Sequence, residues 1–359
     1  MAVDTASMFR KVAVLLETQD HPALFLIELG GSSMVISRRG FIVVAGALGF
    51  SAFTIGHAAA QAGAPSTLSL AVGQRGNWDT SVAELGQRAG IFEKHGLKLE
   101  ILYTQGGGET LQAVLSGSVD IGVAAGIMGT LSAFSKGAPV RILGAETTGG
   151  ADLYWYTKSD SPISALSDIK GQTIAYSTNG SSTHGVVTAF ISENSLDAEP
   201  VATGGPSATL TAVMSGQIDI GWAAPPFGLD LLEKGDIKII ASGSDAEAFR
   251  GQTVRLLVTN VESLETQKDE LDRFMAAYRE TIDWMYSSEE AIDTYAEFVD
   301  VPRAIALRTR DEFFPKEALN PDEVVGLDVI VPSAVELDYT DRELTDEQLS
   351  EVIQIPPQQ

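Results

Sequence analysis

The chain has 359 residues, 48 Asp and Glu against 24 Lys and Arg for a net charge of -24, 44% hydrophobic residues and no cysteine. The acidic excess excludes a partner held chiefly through its phosphate backbone, so no nucleic acid is expected; the lack of cysteine excludes disulfides, thiol nucleophiles and CxxC metal sites. The length calls for two lobes of roughly 100 to 150 residues, each large enough to bury a core.

In chain order the first feature is an export signal. "SRRGFIVVAGALGFSAFTIGHAAAQA" sets Arg38 and Arg39 ahead of an apolar run over 41–55 and then small residues, the order of n-region, h-region and cleavage site. The run is short for a membrane span, so the mature form is expected not to be embedded in a membrane. Ser37-Arg38-Arg39-Gly40-Phe41 resembles a twin-arginine signal, implying export after folding; a Sec signal carrying two arginines is the alternative. Cleavage fits after Ala60 or Ala62, and Met34 would start a signal of ordinary length. Residues 1–62 are therefore set apart as an export region with Met34 as the expected true start.

Beyond it, apolar runs alternate with helical patterns. "LSLAV" reads as a buried strand, "VAELGQRAGIFEKHG" as one helix ended by Gly96, "LKLEILY" as a strand and "ETLQAVLSG" as a helix ended by Gly117. "VDIGVAA", "IMGTLSAFSKG" and "VRILGAE" continue as strand, helix and strand. This order predicts an α/β fold with a mostly parallel sheet.

The order then recurs: "QTIAYST" as strand, "HGVVTAFISENS" and "ATLTAVMSG" as helices, "IDIGWAA" as strand, "PFGLDLLEKG" as helix and "IKIIAS" as strand. "LQAVLSGSVDIGVAA" at 111–125 and "LTAVMSGQIDIGWAA" at 210–224 share ten of fifteen residues. That spacing is too long for a solenoid and predicts two duplicated α/β lobes. "TVRLLVTN" then reads as a strand and "KDELDRFMAAYRETIDWMYS" as a long helix with an apolar stripe from Leu271 to Met285. Acidic helical segments follow, expected to return onto one lobe. Crossings near 146–155 and 250–258 predict a two-strand hinge, with lobe I at 66–148 plus 253–359 and lobe II at 149–252.

Ligands of parallel α/β sheets bind beyond the strand carboxyl ends, beside helix N-termini. In "STNGSSTHG" (177–185) Asn179, Ser181, Ser182 and Thr183 offer polar groups around Gly180, suiting a carboxylate, sulfonate or phosphonate unless they only cap their own helix. Gly107 in "TQGGGET" and Gly126 in "AAGIMG" offer similar backbone nests, and Glu109 either balances its helix dipole or meets a ligand amine. Arg75, Asn77 and Trp78 in "GQRGNWD" offer a guanidinium, an amide and an indole, with a core-capping Trp as the alternative. Trp222 and Pro225 in "WAAPPFG" form an apolar wall unless they pack the lobe. Of "DLYWYT", at least one ring is expected in the core. His184 lacks partners for a triad and reads as a helix cap. No HExxH, GxSxG, Walker A or EF-hand pattern occurs; no cofactor, metal or catalytic residue is expected.

With its export signal, "AGIFEKHGLKLEI", "GGGETLQAVLSGSVDIG" and "SGQIDIGWAAPPFGL", the chain over about 66–350 resembles the periplasmic substrate-binding proteins of the nitrate/sulfonate/taurine ABC transporter family. The resemblance implies a type II periplasmic binding protein fold, two lobes closing by a two-strand hinge on one small ligand. It also implies a periplasmic monomer delivering its ligand to an ABC permease with its cytoplasmic ATPase. Asp120 and Asp219 are expected to fix turns. A sulfonate-like organic anion is the first expectation, with an aromatic carboxylate, a thiamine-related pyrimidine or signalling through a membrane sensor as alternatives. Thiamine pyrimidine synthases share the fold but carry a Cys-rich motif. LysR-type effector domains share the lobes but follow a DNA-binding helix pair, where this chain has its signal.

Overall fold

The structure, a computed structural model, describes residues 25–29, 32–36 and 64–358. Strands β1 (Phe25–Leu29) and β2 (Ser32–Ile36) pair antiparallel in a unit, Met1–Ala60, separate from the unit Gln61–Gln359. The arginine pair, apolar run and cleavage sites of the expected signal lie outside the described residues.

In the larger unit, β3 (Ser66–Val72), β4 (Leu97–Tyr103), β5 (Ile121–Gly126) and β6 (Val140–Thr148) come first, then β7 (Tyr154–Lys158), β8 (Lys170–Tyr176), β9 (Asp197–Ala202), β10 (Gly221–Ala223), β11 (Ile237–Ser242) and β12 (Thr253–Asn260). They form two sheets of one pattern. Sheet I has the order β4-β3-β5-β12-β6, with β3 parallel to β4 and β5 and β12 antiparallel to both its neighbours. Sheet II consists of the parallel pair β8-β9 and the set β10-β7-β11, in which β7 is the antiparallel member. A parallel bridge between Ile174 and Ile220 joins the two pieces. Sheet II is one contiguous run, β7 to β11, whereas sheet I takes its antiparallel strand, β12, from beyond all of it. The chain therefore passes between sheets twice, over 149–153 and 243–252, and the Gly149 N–H donates to the Gln252 carbonyl at 2.8 Å where the passages adjoin.

Helices α1 (Val82–Arg88), α2 (Ile91–Lys94), α3 (Gly107–Leu115) and α4 (Ile127–Ser135) alternate with the strands of sheet I; α5 (Ser182–Asn194), α6 (Pro206–Met214) and α7 (Leu229–Lys234) do so in sheet II. The single helix expected over 82–96 is two, because Gly90 turns left-handed at φ 73°. β9 has no counterpart in the sequence reading: "DAEPVA" is a mostly exposed edge strand carrying Pro200, so it lacks an apolar pattern.

The tail adds α8 (Val261–Thr266), α9 (Lys268–Ser287), α10 (Glu289–Val299), α11 (Arg303–Phe313), α12 (Leu327–Glu336) and α13 (Asp346–Val352). The α9 stripe of Leu271, Phe274, Ala277, Tyr278, Ile282 and Met285 is buried in one cluster with Leu68, Leu70, Trp78 and Phe92 of the sheet I side. Past α13, Ile353 bridges to Ile142 beside β6.

The repeated sentence has one structural meaning in both copies. Asp120 Oδ2 accepts from the Ser69 N–H at 2.8 Å and its hydroxyl at 2.6 Å; Asp219 Oδ2 accepts from the Thr173 N–H and hydroxyl, both at 2.9 Å. Asp120 fastens the start of β5 to β3, and Asp219 the start of β10 to β8. Each is a staple of the scaffold, as expected for these two residues.

Candidate functional site

Loop 73–79 leaves β3 through a stretch few side chains adopt, Gln74 at φ 113° and Gly76 at φ 105°. It forms one wall of a cleft of about 760 Å³. The same wall holds Tyr103, Thr104 and Gln105 from the end of β4, with Val299 and Val301 from the end of α10; the facing wall is Gly205–Ala208 at the start of α6, with Leu210, Pro226, Phe227, Asp230 and Leu231.

Arg75 is held rather than swinging free. Its Nη2 donates to the Phe298 carbonyl at 2.8 Å, and its guanidinium lies 4.2 Å over the Phe298 ring. Asn77 is 8% exposed, and its carbonyl accepts from the Thr80 and Ser81 hydroxyls. Among the described residues its side-chain amide has no hydrogen-bond partner, so its donor and acceptor are left for the cleft it lines. Opposite, α6 begins at Gly205 without a side-chain cap and with Pro206 at its first turn. Its leading N–H groups and dipole favour negative charge. Gln105 spans the walls: its carbonyl accepts from Gln74 Nε2 at 2.5 Å, and its Oε1 accepts from the Gly205 N–H at 3.4 Å. At the rim, Arg308 of α11 meets Glu233 of α7 at 2.7 Å. Phe227, Leu210, Leu231, Val299 and Val301 supply the apolar part of the cleft lining.

The expected anion loop lies elsewhere. Residues 177–183 are pressed against sheet I's glycines: a Cβ on Gly126 would stand 2.6 Å from the Gly180 oxygen, one on Gly106 2.6 Å from Ser177 Oγ, and ones on Gly108 and Gly129 would overlap the Asn179 and Gly180 carbonyls. Gly107 likewise lets α3 approach the Ala124 carbonyl. Here these glycines let the two segments pack closely against one another. The hydroxyls are spent internally: Ser181 Oγ accepts from the His184 N–H at 3.1 Å, and Thr183 Oγ1 accepts from the Ser177 N–H at 2.8 Å, both side chains being buried, as is that of Ser182. Asn179 is exposed and its Oδ1 accepts from the Tyr176 hydroxyl at 2.6 Å. His184 Nδ1 takes the Gly180 N–H at 3.2 Å and lies 2.8 Å from the Tyr339 hydroxyl. Burial holds its pKa below the usual histidine value.

Three further expectations are corrected. Trp78 is fully buried, its Nε1 donating to the Tyr286 hydroxyl at 3.0 Å and its ring edge-on to Tyr295 at 4.8 Å, so it anchors the cleft loop from behind. Trp222 and Pro225 are buried in sheet II's side, and the residues that reach the cleft are Pro226 and Phe227. Glu109 turns back onto the chain just before its own helix, its Oε2 accepting from the Gln105 N–H at 2.9 Å. The α6 start was open to detection, since "TGGPSAT" aligns with "TQGGGET". Val299 and Val301 carried no such signal, lying in the unrepeated tail. Of "DLYWYT", Trp155 is core and Tyr154 donates to the Phe227 carbonyl at 2.5 Å, steadying the cleft wall.

Among the described residues, no group of His, Cys, Asp and Glu is arranged to hold a metal ion, and no helix is long and apolar enough to cross a membrane.

A five-stranded sheet on one side, a three-stranded set bridged to a parallel pair on the other, and a cleft lined by residues of both sides define the class: the fold is that of the periplasmic binding proteins. It is shared with the alkanesulfonate-binding protein SsuA from Xanthomonas axonopodis pv. citri bound to MOPS, at 20% identity and a TM-score of 0.67 over 82% of this chain and 99% of that one. The periplasmic aliphatic sulphonate binding protein SsuA from Escherichia coli gives 20%, 0.63, 82% and 94%. The periplasmic nitrate-binding protein NrtA from Synechocystis PCC 6803 gives 13%, 0.61, 81% and 86%. At these identities the likeness is one of fold. No curated protein matches the chain. Residues 82–292 match the family described as NMT1/THI5 like, and the chain belongs to that family.

Proposed function

We propose that the protein is the periplasmic solute-binding component of an ABC-type importer, a non-enzymatic receptor that closes on a small organic anion and passes it to a permease and its ATPase. Residues 66–148 with 253–359 act as one lobe and 149–252 as the other, moving about the two passages between sheets. Export by the twin-arginine route places it in the periplasm.

The observation that carries this reading is the cleft itself, where Arg75 and Asn77 face the uncapped start of α6. An anionic head group fits between a guanidinium and helix N–H groups, and the apolar wall takes a short aliphatic body, which favours a sulfonate. Tyr103 and Phe227 at the same cleft support a second reading, an aromatic carboxylate or pyrimidine. A thermal-shift screen of residues 63–359 against sulfonates, carboxylates, nitrate and pyrimidines tests both, because a ligand of the folded state raises the midpoint by mass action. A sulfonate hit supports the first reading and a hit confined to ring compounds the second; no shift with any of them removes the small-anion reading.

A further inference from the structure

Behind the cleft loop lies a buried cluster with more carboxylates than cations. Arg255 of β12 is 4% exposed, and Asp79, Glu146 and Asp152 are 0%, 1% and 2% exposed. One guanidinium nitrogen, Nη2, lies 2.7 Å from Asp79 Oδ2 and 2.9 Å from Asp152 Oδ2, while Nε lies 3.2 Å from Glu146 Oε2. Thr147 Oγ1 lies 3.0 Å from Asp79 Oδ2 and 2.8 Å from Glu146 Oε2. Among the described residues Asp79 Oδ1, Glu146 Oε1 and Asp152 Oδ1 have no hydrogen-bond partner. Tyr278 of α9 and Tyr295 of α10 face the group from the helical side, and the Tyr295 hydroxyl donates to the Gly76 carbonyl in the cleft loop at 2.8 Å.

The three acids belong to three different segments of the fold. Asp79 ends the loop that carries Arg75 and Asn77 into the cleft. Asp152 sits in the first passage between the sheets. Glu146 lies on β6, the strand leading into that passage, and Arg255 on β12, the strand leading out of the second. We propose that Arg255 is a positioning residue for the ligand-binding loop, its shared Nη2 tying Asp79 to Asp152 so that the hinge passage and the cleft wall move as one. Any shift of the passage displaces Asp152, and the guanidinium cannot keep both carboxylates at hydrogen-bond length while its Nε stays on Glu146.

A single guanidinium does not balance three buried carboxylates. Burial, with the Asp79 charge adding and Arg255 opposing, pushes Glu146 well above the usual carboxylate range. Burial outweighs Arg255 at Asp152 and raises it to about 6. The tie itself rests on geometry, the two contacts that Nη2 makes with Asp79 and Asp152.

The inference rests on reading this cleft as the ligand site, but its test needs no ligand: amide hydrogen exchange of the full chain, corrected for intrinsic rates. In Asp152→Asn at pH 8, exchange over 149–153 and over 74–79 rises together, by about tenfold, while α5 stays at the wild-type rate. Glu146→Gln leaves both segments unchanged. Arg255→Lys, which keeps the charge but loses the Nε contact to Glu146, raises exchange over the same two segments, a check that stands even where Asp152→Asn folds poorly. Faster exchange in the passage alone, or in neither segment, or an equal effect from Glu146→Gln, overturns the coupling. A failed ligand screen with coupled exchange would count against the receptor and leave the tie standing.

Discussion

At the scale of single residues, the cleft divides polar side chains by whether the fold has already used them. Asn77 keeps its amide unused, whereas Ser181 spends its hydroxyl on the first turn of α5. Asn77→Ala is therefore expected to lower affinity for the screened ligand about tenfold with little change in thermal midpoint, read by calorimetry and melting. Ser181→Ala reverses the pattern: it leaves affinity unchanged and costs about 1 kcal/mol of stability through the lost cap. Arg75 and Asn77 of "GQRGNWD" line the cleft. Trp78 does not, because an indole in such a loop looks the same in sequence whether it turns outward or, as here, finds Tyr286 and Tyr295 far along the chain. Hydroxyls in a row after a strand likewise suit an anion or a helix cap, and only the contacts of Ser181 and Thr183 decide between them.

At the scale of elements, the strands and helices were legible where burial imposes a period. β12 and α9 fall where the apolar pattern puts them, and the duplicated Asp staples explain why "DIG" recurs. β9 and the break at Gly90 were not legible, one for want of an apolar face and the other because the pattern runs through the glycine. The glycine seam between 177–183 and the starts of α3 and α4 was visible only as glycines. It makes a prediction whose sign opposes helix propensity. Gly129 lies within α4, where Ala would normally add about 1 kcal/mol of stability. Against the Gly180 carbonyl its methyl must force the seam apart, so Gly129→Ala is expected to destabilise by about 1–3 kcal/mol, read in denaturant melts.

At the scale of the whole molecule, two buried titrating sites oppose one another. His184 has a lowered pKa, so the stability it confers is present above the usual histidine value and is lost as pH falls below it. Glu146 and Asp152 have raised values, so their contribution is complete below the usual carboxylate range and is lost as pH rises, through about 6 for Asp152. Glu146→Gln should therefore raise the thermal midpoint at pH 8 and leave it unchanged near pH 4, since ionisation at the higher pH favours the unfolded wild type over the folded one. A scan of midpoint against pH for both chains checks the sign. Duplication of the α/β run could be read from the sequence, since its two copies still match. The closed seam could not, because it joins backbone to backbone and leaves no pattern of side chains.

The late arrival of β12 in sheet I also sets an order on synthesis. Every strand of sheet II lies between 154 and 242, so a growing chain can complete that sheet as it emerges. Sheet I begins at residue 66, yet β5 and β6 stay separated until β12 arrives at 253. The half of the protein made first is the half finished last, and until then its central gap must be kept from other strand edges.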